Sequence, residues 1–330
     1  MATQAQALWI EGPGRVGLRD ERVSVGPGEV GVRMLWSGIS RGTERLVLEG
    51  RVPESERERM RAPFQAGDFP APVKYGYCAV GRVEEGPAGL LGRAVFALHP
   101  HQTYFALPAS AVLPLPDALP PRRATLAANM ETALNAAWDG GAAPGDRILI
   151  VGAGPLGLLL AAILARMPGA DVTICDVLAQ RASVAGALGT KFCAPQDAPR
   201  DCDLAFHVSA TAAGLATALG ALGREGALVE MSWHGAGETP VALGGAFHSK
   251  RLRIISSQVG AIPPARAPRW DHRRRLGVAL DLLRDDRLDA LIDAEAAFAD
   301  LPARYADLVR GPGLAPVVRY PALGGEAATD

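Results

Sequence analysis

Three closely spaced glycines follow an apolar run near the middle of the chain. The run Ile148–Val151 leads into Gly152, Gly154 and Gly157, which have the spacing Gly-x-Gly-x-x-Gly and precede an apolar, helix-forming segment. In such a turn the first glycine permits a tight bend, the second lets the backbone approach a pyrophosphate, and the third allows the helix to pack on the strand. N–H groups at the start of the helix then face the phosphates. The spacing therefore predicts a dinucleotide-binding turn.

An acidic residue follows this turn at the distance that a dinucleotide site requires. Asp176 lies nineteen residues beyond Gly157 and ends the next apolar segment. A carboxylate there accepts hydrogen bonds from the ribose hydroxyls of NAD and repels the 2′-phosphate of NADP, whereas nearby Arg181 could bind that phosphate. We expect NAD(H) to be favoured over NADP(H). The predicted cofactor-binding residues are Gly152, Gly154, Pro155, Leu156, Gly157, Asp176, Arg181, Thr132, Ser209, Ser232 and Ser257.

Length and composition limit the protein's class. The 330 residues exceed the size at which a single hydrophobic core stops growing, so two domains are expected. A net charge of −1 provides no field to attract nucleic acid or an anionic membrane. The sequence shows no export signal and no membrane-spanning stretch, and its four dispersed cysteines suggest reduced thiols. We therefore expect a cytoplasmic protein without nucleic-acid or membrane partners.

The hydrophobic pattern changes along the chain. The first 115 or so residues read as short strands between glycines and prolines, which favours an antiparallel barrel interrupted by a surface helix at Pro53–Arg61. A proline-rich linker and a helix at Arg122–Trp138 follow, and strands then alternate with helices, which predicts a parallel, doubly wound α/β sheet. The expected domains span residues 1–119, 120–262 and 263–330. The last segment returns to the first domain and ends in a disordered tail, Ala322–Asp330.

In this order of elements the sequence resembles the medium-chain dehydrogenase/reductase superfamily, which includes the alcohol dehydrogenases. The Gly-Ala-Gly-Pro-Leu-Gly turn at 152–157 matches that family, and Trp36–Arg45 and Gly76–Val83 are most similar to the branch that includes bacteriochlorophyllide a dehydrogenase. The resemblance implies a GroES-like β-barrel catalytic domain beside a Rossmann domain. It also implies a homodimer that pairs the edge strand Leu252–Ser256 of two Rossmann sheets.

The sequence departs from the zinc-dependent members of that family at each metal ligand. Ser40 stands where they carry a cysteine, Tyr77 where they carry a histidine, and Ala128 at the position of the third ligand. The four-cysteine structural lobe is also missing, because no cysteine lies between Cys78 and Cys175. Zinc requires three or four thiolate, imidazole or carboxylate ligands that converge on one point. We therefore expect no zinc and no other metal.

The residues that replace the ligands are the candidates for catalysis. The resemblance suggests that Tyr77 donates a proton and that Ser40 and Thr43 supply hydroxyls, with Thr43 at a family position that relays a proton. Lys74 could lower the pKa of Tyr77, although an extended strand would place these two side chains on opposite faces. Glu131 could serve as an acid or base, or could form a structural ion pair.

Several histidines have competing interpretations. His207 lies within an apolar strand, so a core histidine is expected. Trp233 and His234 follow the carboxyl end of a strand, where ligands bind in doubly wound sheets, and are candidates for lining a cleft. His99 and His101 alternate about a proline, so one of them could face the cleft.

Three functions fit the cofactor motif. The first is a zinc-independent, NAD(H)-dependent oxidoreductase that interconverts an alcohol and a carbonyl on a small organic substrate. The second is a zinc-free NAD(P)H-dependent quinone or enoyl reductase, which transfers hydride to an activated C=C bond. The third is a dinucleotide-binding protein without catalytic activity.

Overall fold

The computed structural model describes residues 2–321, so the predicted tail Ala322–Asp330 lies outside it. The chain divides into two compact units. Unit 1 comprises the chain up to Ala128, Leu280–Arg284 and the chain from Ile292 onward, and unit 2 comprises Asn129–Ala279 and Asp285–Leu291. The chain leaves unit 1 after Ala128 and returns to it at Leu280–Arg284 and again from Ile292, whereas the predicted bounds are 119/120 and 262/263.

The elements are numbered in chain order. The strands are β1 (Thr3–Gly12), β2 (Arg15–Val23), β3 (Glu29–Gly38), β4 (Ala66–Gly67), β5 (Val73–Lys74), β6 (Ala79–Glu85), β7 (Ala94–Ala97), β8 (Tyr104–Pro108), β9 (Leu113–Pro114), β10 (Arg147–Val151), β11 (Asp171–Cys175), β12 (Lys191–Cys193), β13 (Cys202–His207), β14 (Leu222–Glu230), β15 (Arg253–Ser256), β16 (Glu295–Ala297) and β17 (Val317–Arg319). The α-helices are α1 (Arg41–Leu48), α2 (Pro121–Ala124), α3 (Ala127–Gly140), α4 (Pro155–Leu164), α5 (Ala182–Ala187), α6 (Ala212–Ala221), α7 (His272–Leu282) and α8 (Leu301–Arg310).

Unit 1 is built from two mostly antiparallel sheets. One sheet has the order β2-β1-β5-β4, and the other has the order β16-β17-β3-β6-β7-β9 with β8 paired to β3. Strand β3 is central because it pairs with β6, β8 and β17, so the last strand within residues 2–321 joins the same sheet as a strand near the start of the chain. The predicted succession of short strands in this region is confirmed.

Unit 2 contains a six-stranded parallel sheet of order β12-β11-β10-β13-β14-β15. The chain proceeds outward from β10 to β12, then returns to β13 and continues in the opposite direction. Ligands bind at such a reversal, outside the carboxyl ends of the strands. Ile148, Leu149 and Ile150 of β10 are fully buried, as the apolar run predicted for a strand covered on both faces. The predicted α/β fold with a doubly wound Rossmann sheet is confirmed.

Two helix predictions were wrong. Pro53–Arg61 forms only a 3₁₀ turn at Glu54–Glu56, because a segment this short rarely holds a helix without tertiary packing. The single helix expected at Arg122–Trp138 is two helices, α2 and α3. The hydroxyl of Thr125 donates to the carbonyl of Arg122 at 2.7 Å where the first of them ends. No helix within residues 2–321 is long and apolar enough to cross a membrane.

Candidate active site

The glycine-rich turn of unit 2 joins β10 to α4. Gly152 has φ +116°, and a Cβ there would come within 2.9 Å of the backbone nitrogen of Ser209. A Cβ on Gly157 would approach the carbonyl oxygen of Gly152 to 2.0 Å, so both positions require glycine. The space around Gly154 is open, and no side chain caps the helix that begins at Pro155. The turn therefore presents backbone N–H groups to a ligand, which fits the pyrophosphate of a dinucleotide.

Asp176 is held beside this turn. Its Oδ2 accepts a 2.7 Å hydrogen bond from the N–H of Ala153, and its Oδ1 accepts one of 2.9 Å from the N–H of Leu178. The guanidinium of Arg181 pairs with the same carboxylate at 3.0 Å. The structure thus brings both predicted cofactor-selecting residues to the turn. The side chain of Val177, which follows Asp176, is 79% exposed.

Three predicted serines lie just beyond the ends of neighbouring strands of the parallel sheet. Ser209 follows β13, and its Oγ is 2.9 Å from Nε2 of His207. The N–H of Ser232, after β14, donates to Glu230 Oε1 at 2.8 Å. The hydroxyl of Ser257, after β15, donates to Asp139 Oδ2 at 2.7 Å. Because these groups already bond within the protein, they shape the edge of the sheet where a cofactor would lie. The remaining predicted residue, Thr132, is in α3.

Tyr77 is the centre of a group of hydroxyls in unit 1. Its phenol forms hydrogen bonds with the side chains of Ser40 and Thr43, so the structure brings together these three predicted catalytic residues. The side chain of Tyr77 is partly exposed, whereas Ser40 is buried at the start of α1. Burial of the phenol raises the pKa of Tyr77 above its ordinary value, although the bonds from the two hydroxyls oppose that rise. The phenol therefore stays protonated at neutral pH.

A buried network lies behind this group and was missed in the sequence. Glu44 has no exposed surface, and its Oε1 accepts a 2.7 Å hydrogen bond from the N–H of Ser40. Its Oε2 accepts from Nε2 of His101 at 3.1 Å and from the hydroxyl of Tyr305 at 2.6 Å. The position of Glu44, four residues after Ser40, was the only available signal, because its other partners are distant in sequence.

The network continues from His101 to the end of the described chain. Nδ1 of His101 lies 2.7 Å from Oγ of Ser37, which in turn lies 2.9 Å from the hydroxyl of Tyr320. If Nε2 of His101 carries the proton and donates it to Glu44, then Nδ1 accepts from Ser37, and Tyr320 donates to Ser37. Each of these side chains then has a hydrogen-bond partner within the network, so the carboxylate of Glu44 is held in one position.

Two other predicted catalytic residues are engaged elsewhere. The ammonium of Lys74 pairs with Glu21 at 2.8 Å and donates to Gln102 at 2.8 Å, so it does not act on the phenol of Tyr77. Strand β5 ends at Lys74, so no continuous strand fixes the side chains of Lys74 and Tyr77 relative to each other. Glu131 forms a buried ion pair with Arg275 at 3.0 Å. Burial raises the pKa of Glu131 and Arg275 opposes that rise, which fits the structural interpretation of this carboxylate.

His99 is also structural. Its ring stacks on Phe105 with the centroids 3.9 Å apart, and Nδ1 lies 3.0 Å from the carbonyl oxygen of Pro100. Burial lowers the pKa of His99 to about 3, so the ring is neutral at physiological pH.

Potential metal ligands do not gather around Tyr77. Within residues 2–321, the one group of three or more His, Cys, Asp or Glu side chains with ligand atoms close together is His207, Glu230 and His234, in unit 2. The residues at the family's zinc position supply a hydroxyl, a phenol and, at Ala128, a methyl group. These residues do not fit a zinc ion, and we derive no catalytic step through one.

Comparison with known proteins supports the fold. No protein-family model matches the chain. It is 27% identical over 192 residues to D-guloside 3-dehydrogenase of Escherichia coli strain K12, a match that covers 54% of this chain and 55% of the relative. The chain thus spans about half the length of the curated relatives it matches.

Solved structures match nearly the whole chain. L-idonate 5-dehydrogenase from Escherichia coli K-12 has a TM-score of 0.79 at 18% identity, covering 97% of this chain and 99% of that one. An alcohol dehydrogenase from Escherichia coli CFT073, solved with NADH, has a TM-score of 0.76 at 16% identity, with coverage of 96% and 99%. The chain therefore has the two-domain fold of medium-chain dehydrogenases, which joins a GroES-like domain to a Rossmann domain.

Proposed function

We propose that this protein is an NAD(H)-dependent oxidoreductase that interconverts an alcohol and a carbonyl without zinc. The observation that carries the proposal is the hydrogen-bonded group of Tyr77, Ser40 and Thr43, which supplies a proton donor where relatives of this fold place a metal. A carbonyl that accepts hydride at carbon needs one proton at oxygen, and a positioned phenol meets that need.

The cofactor would be held by the glycine-rich turn of unit 2. The N–H groups around Gly154 and the start of α4 would bind the pyrophosphate, and Asp176 would accept hydrogen bonds from the adenosine ribose. The nicotinamide supplies the hydride when it is bound. We propose NAD(H) over NADP(H) because the carboxylate of Asp176 would repel a 2′-phosphate, and Arg181 is already paired with that carboxylate.

The hydroxyl group of unit 1 would manage the proton. Tyr77 donates its phenolic proton to the substrate oxygen, and the hydroxyls of Ser40 and Thr43 orient the phenol and relay a proton from solvent back to the phenolate. Glu44 acts on this group as a positioning residue, because its carboxylate accepts a hydrogen bond from the backbone N–H of Ser40. Since burial keeps Tyr77 protonated at neutral pH, the arrangement favours carbonyl reduction over alcohol oxidation.

The substrate class follows the relatives by analogy alone. The matched enzymes are named for a guloside and for idonate, both polyhydroxylated compounds. We propose a small hydroxylated substrate. The sequence likeness to the branch of bacteriochlorophyllide a dehydrogenase makes a hydroxyethyl group on a larger ring system the second compound type to test.

We retain a cytoplasmic location and the absence of nucleic-acid and membrane partners as expectations from composition.

We further propose a homodimer. Strand β15 is at one edge of the six-stranded sheet, and Ile254 within it is 40% exposed. An exposed edge strand with an apolar side chain favours pairing with a second copy. The mass of the protein in solution, measured by light scattering after size exclusion, distinguishes a dimer from a monomer.

The test of function is a substrate panel under metal-free conditions. Chelator-treated protein with NADH should reduce a carbonyl compound, and added zinc should not increase the rate. Product analysis separates an alcohol from the saturated ketone that an enoyl reductase would form. Tight NADH binding without turnover of any carbonyl or enone would instead favour the inactive dinucleotide-binding protein.

A further inference from the structure

Three potential metal ligands meet in unit 2, where β13 and β14 end. Nδ1 of His207 lies 2.6 Å from Oε2 of Glu230, and Nε2 of His234 lies 3.7 Å from the same oxygen. The two imidazole rings are inclined by 28°, with their centroids 5.8 Å apart. The three ligand atoms all lie within 4.8 Å of one another. Two ring nitrogens therefore converge on one carboxylate oxygen.

The second nitrogen of each ring is also held. Nε2 of His207 lies 2.9 Å from Oγ of Ser209, and Nδ1 of His234 lies 3.0 Å from Oγ1 of Thr239. Metal-binding histidines use their other nitrogen in this way, because a hydrogen bond there fixes both the tautomer and the direction of the ring. Each imidazole thus has one nitrogen anchored to a hydroxyl and the other directed toward Glu230.

The distances favour an ion between these ligands. Zinc bonds of about 2.0–2.2 Å in a tetrahedral site place neighbouring ligand atoms about 3.4 Å apart. The two separations from Glu230 Oε2, 2.6 Å and 3.7 Å, lie on either side of that value. The longer one is outside hydrogen-bonding distance, so His234 is oriented by its bond to Thr239 and leaves Nε2 facing Glu230 without a hydrogen bond to it.

We propose that His207, Glu230 and His234 bind a divalent transition-metal ion of the zinc type, with water at the fourth position. Two histidines and a glutamate form a ligand set that zinc accepts. On binding, the proton on Nδ1 of a neutral His207 moves to Nε2, where Oγ of Ser209 accepts it. His207 is fully buried, whereas the side chains of His234 and Glu230 are 21% and 18% exposed, so the ion enters from their side.

A bound ion would link two segments of unit 2. His207 belongs to β13, whereas His234 lies in the connection between β14 and β15, much of which is exposed. An ion would fix this connection to the end of β13. The proposal does not depend on the proposed oxidoreductase activity, because its test measures binding and not turnover.

The experiment uses full-length protein without a histidine tag, treated with chelator and then freed of it. Equilibrium dialysis against Zn²⁺ with elemental analysis should show one ion per chain. Co²⁺ should bind at the same site and give the strong visible absorption of a four-coordinate complex. The His234→Gln variant loses a ligand and should bind more than about 100-fold more weakly. Thr239→Val should bind about 10-fold more weakly, because a hydroxyl that orients a metal-binding histidine typically contributes this much.

The matched control is His248→Gln, which removes an exposed histidine of the same unit and should leave the affinity unchanged. His234 is partly exposed, so its replacement should preserve the fold, which circular dichroism checks. His207→Gln provides a second ligand variant. Absence of bound zinc on the wild-type protein would overturn the proposal. Stoichiometric binding that persists in both histidine variants would also overturn it, because the ion would then be held elsewhere.

Discussion

The hydroxyl of Tyr305 donates a 2.6 Å hydrogen bond to Oε2 of Glu44, and neither residue has any exposed surface. The two residues are 261 positions apart in the sequence, so this bond joins α8 to α1. A carboxylate without access to water is stable only when protein donors satisfy it. The backbone of Ser40 and the ring of His101 complete that set. The start of α1, where two of the proposed catalytic hydroxyls lie, thus depends on one buried side chain.

Replacing Glu44 should therefore weaken the fold. In the Glu44→Gln variant an amide NH₂ group would face donors that now bond to a carboxylate. We expect the free energy of unfolding, measured with urea, to fall by about 3 kcal/mol, as for other broken buried charge networks. The control is Glu54→Gln, whose side chain is 88% exposed and whose loss should change stability by less than about 0.5 kcal/mol. Equal stability of the two variants would contradict this role of Glu44.

Removing the phenolic hydroxyl of Tyr77 should slow the reaction without affecting the cofactor. We expect Tyr77→Phe to lower kcat for carbonyl reduction by at least about 100-fold, the usual loss when a general acid is removed. NADH affinity, followed by fluorescence, should stay the same because the cofactor residues lie in unit 2. Tyr104→Phe is the matched control, since that hydroxyl donates to Glu85 at 2.6 Å. An unchanged kcat in Tyr77→Phe would assign proton donation to another group.

The pH dependence of the reduction rate gives a second test of the phenol of Tyr77. Burial raises the pKa of Tyr77 above its ordinary value near 10. An acid acts while it is protonated, so the reduction rate should stay constant between about pH 7 and pH 9 and be lost only as the pH rises through that raised pKa. A decline centred near neutrality would indicate a donor other than a buried phenol.

Asp176 should determine which cofactor binds. Asp176→Ser removes a charged acceptor for the ribose hydroxyls, and a hydrogen bond to a charged group typically contributes about 1.5–3 kcal/mol. NADH should therefore bind about 10–100-fold more weakly, while NADPH should bind more tightly once the negative charge is gone. Asp171→Asn is the control, because Asp171 pairs with exposed Lys191 at 2.6 Å and has no predicted contact with a cofactor. Tighter binding of NADPH than of NADH by the wild-type protein would contradict the proposed preference.

His99 should make the protein sensitive to acid. Its pKa is about 3 in the folded state and near 6.5 in the unfolded chain, so below pH 6.5 the unfolded state binds the extra proton. Stability should then fall with decreasing pH over that window, by up to about 1.4 kcal/mol per pH unit from this residue. His99→Phe keeps a ring beside Phe105 and should flatten that slope in urea unfolding at pH 5 relative to pH 7.5. His248→Gln, at an exposed site, should leave that slope unchanged. Equal slopes for wild type and His99→Phe would exclude His99 as the source of the acid sensitivity.

The parts of the structure that the sequence predicts are local ones. The turn at Gly152 and Gly157 follows from steric limits between residues close in the chain, so spacing alone located it. Asp176 could be placed because it directly follows β11, the strand next to β10 in a parallel sheet. The strands of unit 2 followed from short apolar runs, and the edge strand expected at Leu252–Ser256 is β15, Arg253–Ser256.

The missed features depend on partners that sequence spacing does not bring together. Lys74 meets Glu21, which is 53 positions earlier, and its pairing follows from the placement of β2 and β5 on either side of β1 and not from any motif. His207 was predicted to be a core histidine, and its burial fits that prediction, but its partner Glu230 comes from the neighbouring strand. Only the parallel register of β13 and β14, which pairs these two residues, places an acid beside the ring.

The pairing of β17 with β3 has a consequence for how the protein is made. Val317 pairs with Gly38 and Tyr320 bonds to Ser37, so the carboxyl end of β3 is completed by a strand that leaves the ribosome almost 280 residues later. The parallel sheet of unit 2 needs no segment after β15 and can assemble first, while the nascent amino-terminal strands await their last neighbour. During synthesis, β6 and β8 can pair with β3 early, but its last residues, Trp36–Gly38, gain their neighbour from β17 only near the end of translation.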